Sequence, residues 1–351
     1  MVSRRSVTMG MAGALAALLA GGAGLPASGS ALAAAAVRKP PRLRKGDTVG
    51  LVCPAGFIAD RFGLEQVEET IRAMGLVPKP APHMLARHGY LAGTDEQRAS
   101  DLQAMFADGD VRAIFAVRGG WGSQRLLPLL DFDAIAASPK LLVGSSDITA
   151  LLLALIGRAR IGGIHGPNAA HSWPRGVWQD FRGLAFDAAM PTYTVEGSSG
   201  ARLARRGGRV RTFGAGTARG RLLGGNLSVL SAMAGTPYLP DFDGAILFLE
   251  DTNESEYRID RMLTQLAQSG ILGSVAGVVF GQCTNCRNPG SPYGNFTIYE
   301  VLSHHLERLG IPAFQGAQFG HISDTICLPV GTMAQIDADA GTIRLLEPAV
   351  A

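Results

Sequence analysis

Charge is scarce in this chain and does not gather by sign. Only 17% of the 351 residues are charged, and 32 basic against 29 acidic side chains leave a formal net charge of +3. The arginines between 202 and 211 lie in a Gly-rich stretch with no aromatics among them, so the basic stripe with stacking platforms that a nucleic-acid partner needs is missing. Cysteine is rarer still. Of Cys53, Cys283, Cys286 and Cys327, only the pair in Cys283-Thr-Asn-Cys286 has a spacing associated with metal or redox chemistry. A zinc site lacks its second half, since neither another such pair nor a matching histidine pair occurs. The following Arg287-Asn-Pro-Gly-Ser-Pro reads as a loop rather than the helix start of a thioredoxin-like pair, so a loop pair is expected, bridged or free. No internal repeat is visible, and no apolar run beyond the first 33 residues is long enough to span a bilayer.

What is present begins with Ser3-Arg-Arg-Ser-Val7, an uncharged apolar run from Met9 to about Leu25, and small residues ending in Ala31-Leu-Ala33. Paired arginines before a weakly hydrophobic, Gly- and Ala-rich core read as a twin-arginine signal peptide over residues 1–33. Gly21, Gly22 and Pro26 interrupt the run and make it a poor anchor. The expectation is a periplasmic or otherwise exported protein starting near Ala34 or Ala36, with no membrane association after cleavage.

The remaining length suits two α/β domains. Residues 48–53 form a continuous apolar strand, and Leu64, Val67, Ile71 and Met74 recur at helical spacing before a stop at Gly75. Alternation continues with a helix at 101–107, strands at 113–117 and 141–143, and a helix at 148–156. This order predicts a parallel sheet with helices on both faces. Residues 37–170 are read as the first domain and 171–218 as a connector holding one hairpin near 193–195. Residues 219–351 are read as a second α/β domain with mixed strands. In it, Leu223-Gly-Gly-Asn226 reads as a turn opening a helix, and strands are expected at 245–250 and 275–280. Ile259, Met262, Leu263 and Leu266 mark one face of a helix near 254–269.

Candidate chemistry centres on Leu141-Leu-Val-Gly-Ser-Ser146-Asp147-Ile-Thr149, where an apolar strand breaks at a glycine and enters a helix within a few residues. A tight strand-to-helix turn pushes a hydroxyl outward, and the first free N–H groups of the helix stabilise negative charge on an attacked carbonyl. The same residues also fit a capped helix start, and this segment alone leaves both readings open. A serine nucleophile needs a base, and the base needs a carboxylate behind it. Among seven histidines, His321 lies in a polar loop between apolar segments; His304 and His305 sit on a helix, and His165 and His171 follow an apolar run. Glu250 ends the apolar strand Ala245-Ile-Leu-Phe-Leu-Glu250-Asp251, the edge where open α/β sheets build their sites. Arg118-Gly-Gly-Trp-Gly122 follows another strand and offers backbone N–H groups or a tight turn; it lacks the Lys-Ser/Thr ending of a phosphate loop.

Taken together, these blocks resemble the LD-carboxypeptidase family. The matching stretches are Val117-Arg-Gly-Gly-Trp-Gly122, Gly144-Ser-Ser-Asp-Ile-Thr149, Leu223-Gly-Gly-Asn226, Leu249-Glu-Asp251 with Tyr257-Arg-Ile-Asp-Arg261, and Phe319-Gly-His321, in the family's order over almost the whole chain after residue 33. The resemblance implies Ser146 as nucleophile, His321 as base and Glu250 as its orienting acid. It also implies an oxyanion hole from the backbone of Gly120 and Asp147, no metal or other cofactor, a site in the cleft between the two domains, and a homodimer. Arg118 and Trp121 are candidates for contacting substrate. The expected reaction is release of terminal D-alanine from a peptidoglycan-derived tetrapeptide. Two alternatives are a microcin C immunity-type peptidase acting on aminoacyl- or peptidyl-nucleotide conjugates, and a non-catalytic exported protein that binds cell-wall peptides.

Overall fold

Apolar strands separated by amphipathic helices build two sheets. The structure, a computed structural model, describes residues 36–195, 210–287, 290 and 294–351. The proposed leader, most of the arginine-bearing stretch and part of the segment after Cys286 lie outside the described residues.

The first sheet contains β1 (Thr48–Val52), β2 (Val77–Pro80), β3 (Val111–Ala116), β4 (Leu141–Gly144) and β5 (Gly163–His165), each parallel to its neighbours in the order β5-β4-β3-β1-β2. Helix α1 (Arg61–Ala73) buries Leu64, Val67 and Ile71, and the Asp60 carboxylate caps it by accepting from the Gly63 N–H. Helix α2 (Asp95–Ala107) starts six residues before the expected 101, because Thr94 and Gln97 form a reciprocal capping box. After α3 (Phe132–Ala137), helix α4 (Thr149–Ala154) is buried on every side.

Among its described residues the expected connector holds more regular structure than its sequence implies. Helix α5 (Arg175–Ala185) occupies part of it, burying Val177, Phe181 and Leu184. Phe181 packs edge-on against Phe115 of β3 and against Trp173, with ring centroids 5.5 and 5.4 Å apart. Gly176 and Gly183 dilute its periodicity, so aromatic tertiary packing supplies what helix propensity does not. In place of a hairpin, β6 (Thr192–Thr194) forms an edge of the second sheet.

That sheet also holds β7 (Arg211–Gly214), β8 (Thr217–Asn226), β9 (Ile246–Thr252), β10 (Gly277–Thr284) and β11 (Ala313–Gln315), with β8-β9-β10-β11 parallel. Strand β12 (Leu328–Val330) crosses back to pair antiparallel with β5 of the first sheet. Strands β13 (Met333–Asp337) and β14 (Thr342–Leu345) complete the second sheet, in the order β6-β14-β13-β8-β9-β10-β11-β7. The fold is α/β, with a parallel first sheet closed by one antiparallel edge and a mixed second sheet.

Leu223-Gly-Gly-Asn226 is the end of strand β8 and not a turn. Gly224 and Gly225 take φ of 146° and 139°; a Cβ would lie 1.9 Å from the Phe248 carbonyl at the first and 2.4 Å from Thr149 Oγ1 at the second. Glycine here lets the second sheet press against α4 of the first half. Asn226 then caps α6 (Leu227–Met233). Helices α7 (Glu256–Gln268), α8 (Ile271–Ser274) and α9 (Ile298–Leu306) cover the sheet, α7 through Ile259, Leu263 and Leu266. Buried apolar residues of both sheets join in one core. Among the described residues no helix is long and apolar enough to cross a membrane.

Candidate active site

All four residues of β4 are buried, and the chain leaves the sheet through Ser145 into a single 3-10 turn, Ser146–Ile148, before α4. Ser145 occupies the cap position yet makes no side-chain capping bond. Ser146 has φ +62°, a left-handed conformation that L-residues with a side chain seldom adopt, at a cost on the order of 1–3 kcal/mol. The neighbouring contacts hold it. Ser145 N donates to Asn168 Oδ1 at 3.2 Å, the buried Asp147 carboxylate accepts from Ser123 N at 2.7 Å, and Ser123 Oγ donates to the Asp147 carbonyl at 2.5 Å. Burial pushes the Asp147 carboxyl above its ordinary range, against the Ser123 hydrogen bonds and the Arg98 charge.

The 118–122 loop lies directly against this turn. A Cβ on Gly119 would stand 2.9 Å from that of Ser146, so glycine sets the approach. Gly120 has φ +119°, and Gly56 N donates to the Gly119 carbonyl at 3.0 Å. Beneath it the buried Arg98 donates to the carbonyls of Gly122, at 2.9 Å, and Pro54, and pairs with Asp95. Trp121, 69% exposed, meets Tyr90 edge-to-face at 6.1 Å on the rim of the cavity beside Ser146. Arg118 does not reach that cavity. Its guanidinium donates to the Phe57 carbonyl at 3.1 Å, which draws the side chain to a separate hollow lined with Ile58, Gly63 and His171.

At the end of β9, Glu250 is wholly buried, and its Oε2 lies 2.7 Å from His321 Nδ1. An ionised carboxylate only accepts, so Nδ1 carries the proton and the Nε2 lone pair is left free. Burial would lower the His321 pKa; the Glu250 hydrogen bond and charge, aided by Asp251, outweigh it and raise the value above the ordinary imidazole range. Asn226 Nδ2 donates to Glu250 Oε1 at 3.3 Å and to Asp251 Oδ1 at 3.1 Å, and Asp251 Oδ2 accepts from Ser228 N and Oγ at 2.9 and 2.8 Å. Asn226 thereby ties together two adjacent carboxylates that the strand turns to opposite faces. It stood inside a recognised motif, yet nothing in its spacing announced this role. His165 Nε2 approaches Glu250 Oε1 to 3.9 Å, and burial holds its pKa low despite that charge.

The structure brings Glu250 and His321 together; it does not bring Ser146 and His321 into contact. Among the described residues no hydrogen bond joins Ser146 to His321. Ser146 lines a cavity of about 890 Å³ with Gly120, Asp147, Asn226, Asp251 and Arg258, whereas His321 lines one of about 220 Å³ with Ser145, His165, His171 and Thr325. The cationic groups at the larger cavity are Arg125, paired with Asp95 at 2.7 Å, and Arg258, paired with Glu254 at 2.5 Å. Cys283 and Cys286 form a disulfide at the end of β10, while Cys53 and Cys327 are buried free thiols. Among the described residues no group of three or more His, Cys, Asp or Glu is placed to hold a metal ion.

Residues 49–166 match the LD-carboxypeptidase N-terminal domain and residues 219–336 match its C-terminal domain. The chain belongs to the LD-carboxypeptidase family. Members of this family similar to it include a Streptomyces coelicolor protein provisionally named a carboxypeptidase, 40% identical over 317 residues covering 89% of this chain and 97% of that one. The murein tetrapeptide carboxypeptidase of Pseudomonas aeruginosa is 32% identical over 83% of this chain and 93% of its own length. Among solved structures, the microcin C7 self-immunity protein MccF in complex with aspartyl sulfamoyl adenosine superposes with a TM-score of 0.79 at 25% identity, covering 90% of this chain and 100% of that one. Membership in the LD-carboxypeptidase family makes the chain a peptidase.

Proposed function

We propose that this peptidase is a serine-type LD-carboxypeptidase that releases the terminal D-alanine of a murein tetrapeptide. The observation that carries the reading is the 2.7 Å hydrogen bond between buried Glu250 and His321, which leaves an imidazole lone pair available as a base. In the proposed cycle Ser146 Oγ attacks the carbonyl between the L-configured centre of the third residue and D-alanine, and His321 Nε2 takes its proton. Backbone N–H groups of Gly120 and Asp147 receive the oxyanion. The C–N bond breaks as His321 returns the proton to the leaving amine, and water then hydrolyses the acyl-serine with His321 again as base. Movement of the Ser146 or His321 side chain must close the proton path, as is common when catalytic hydrogen bonds tighten only around substrate.

The reading places the site in the cleft between residues 37–170 and 219–351, the protein outside the cytoplasm by way of the twin-arginine-like leader, and two copies in a homodimer. Its support is the murein tetrapeptide carboxypeptidase among its relatives and the order of the five motif blocks. The test is release of D-alanine from purified murein tetrapeptide, followed by mass spectrometry of the products. Ser146→Ala is expected to lose activity by a factor on the order of 10⁴ or more; full release by that variant would overturn the assignment. One observation favours a second substrate: the exposed Trp121 and Tyr90 at the cavity rim would suit a base of a nucleotide conjugate, and a side-by-side assay with an aminoacyl sulfamoyl nucleoside separates the two.

A further inference from the structure

We propose that the Cys283–Cys286 disulfide, acting through Thr284 between its two cysteines, is a positioning element for His321, so that the redox state of this pair sets the working rate of the enzyme. The inference rests on His321 being the catalytic base. Strand β10 runs parallel to β9, with Cys283 opposite Asp251 and Thr284 opposite Thr252, which puts the bridged turn one residue beyond Glu250. Two polar side chains at this end of β10 hold the loop that carries the histidine. Gln282 Nε2 donates to the carbonyls of Gly316 and Ala317 at 3.2 and 3.0 Å, its backbone N–H donates to the Phe319 carbonyl at 2.9 Å, and Thr284 Oγ1 donates to the carbonyl of His321 itself at 3.1 Å.

The turn is fastened on its other side as well. The Thr284 carbonyl accepts from Asn253 N at 2.8 Å and Thr252 Oγ1 at 3.2 Å, and Asn285 Nδ2 donates to Asn253 Oδ1 at 3.2 Å. The acid-bearing strand and the base-bearing loop are therefore both tied to a single four-residue turn that a covalent bond closes. Gly320, at φ +124°, turns the chain immediately before His321; its N–H donates to Thr325 Oγ1 at 3.2 Å, its carbonyl accepts from Ile322 N at 2.9 Å, and a Cβ there would stand 3.1 Å from Glu250 Oε2. Those bonds close the loop on itself, and the Thr284 hydroxyl ties it to the strand beside Glu250.

Reduction opens the covalent closure of the turn that bears Thr284. A dithiol reductant attacks one sulfur, the S–S bond breaks through a mixed disulfide, and two electrons with two protons leave the protein with two cysteine thiols and the reductant as a cyclic disulfide. The remaining cysteines, Cys53 and Cys327, are already free thiols in the core, so the reductant has one target among the described cysteines. The charged and titratable groups facing His321 are Glu250 and Asp251 of β9, with His165 and His171 on the first half, and reduction adds the Cys283 and Cys286 thiols, the first opposite Asp251.

The experiment compares oxidised enzyme, the same preparation reduced with dithiothreitol, Cys283→Ser/Cys286→Ser, Thr284→Val and Thr284→Ser. Two readouts are followed: kcat and KM for tetrapeptide, and NMR titration of the His321 imidazole, assigned by its loss in His321→Gln. Reduced enzyme, the double serine variant and Thr284→Val are expected to fall about tenfold in kcat, short of the roughly hundredfold that an ångström of misplacement costs, with KM changed less than about twofold. The imidazole is expected to titrate at lower pH as its hold on Glu250 loosens. Thr284→Ser, which keeps the hydroxyl, and reoxidation of the reduced wild type are expected to restore both. Unchanged kcat and titration after complete reduction would overturn the proposal. The NMR readout needs no turnover, so failure of the substrate assignment leaves the positioning claim open to its own test.

Discussion

Ser146 and His321 reach the site under different kinds of support. At the end of β4 the serine is held by backbone geometry: a left-handed φ, a glycine loop pressed against it, and hydrogen bonds to the residues on either side. At the ends of β9 and β10 the imidazole is held by side chains: a buried glutamate, an asparagine bridging two carboxylates, and a threonine hydroxyl on the histidine's own carbonyl. Backbone strain fixes one atom in space and tolerates little change. A side-chain network fixes a protonation state and a tautomer, and responds to charge.

The largest expected effect breaks the serine side. Ser146→Gly should lose activity by a factor on the order of 10⁴ or more and yet gain stability of about 1 kcal/mol, since glycine carries no penalty at φ +62°. Denaturant unfolding beside the kinetic assay checks both; a destabilised glycine variant would contradict the account of strain. Next comes Glu250→Gln, expected to reduce kcat/KM on the order of 10³- to 10⁴-fold. In the proposed cycle the base must be neutral His321, so activity is expected to rise with pH through that group's pKa. Loss of the carboxylate removes what raises the pKa, and the acid limb should move to lower pH.

The same pair makes a stability statement. Because the folded pKa of His321 is raised, its pairing adds stability that is fully present below the unfolded value of about 6.5 and is lost as pH rises through the folded one. Unfolding of wild type and Glu250→Gln across that interval should show the increment only in the wild type. A smaller effect tests the seam between the halves: Gly225→Ala should destabilise by about 1–3 kcal/mol through contact with Thr149, with a shift in thermal midpoint as the readout. The smallest sharpens the serine side's limits. Arg118→Ala should change kcat/KM by less than about twofold, a ratio read in the same tetrapeptide assay, because its guanidinium serves the Phe57 carbonyl away from the Ser146 cavity.

Much of this was legible in the chain. Alternating apolar runs and helical periodicity predicted the first sheet, since strands buried on both faces leave a continuous apolar signature. The Ser146, Glu250 and His321 positions could be nominated because each follows a strand end or sits in a polar loop. Helix α5 was not legible, because its aromatic contacts belong to β3 and Trp173 and are remote in sequence. The strand character of Gly224 and Gly225 was hidden for a related reason: isolated glycines signal turns, and only the approach of Phe248 and Thr149 gives them another purpose.

The chain by itself determined which segments are strands and helices over most of its length, and which hydroxyl, imidazole and carboxylate were candidates for chemistry. Those properties follow from local periodicity and from the intrinsic reactivity of side chains. Tertiary structure alone decided that Glu250 and His321 meet, that Asn226 binds both carboxylates, that Arg118 faces elsewhere, and that Cys283 and Cys286 close a turn beside the loop of His321. Hydrogen-bond partners tens of residues apart are selected by which sheets lie side by side, and no local pattern of residues encodes that choice.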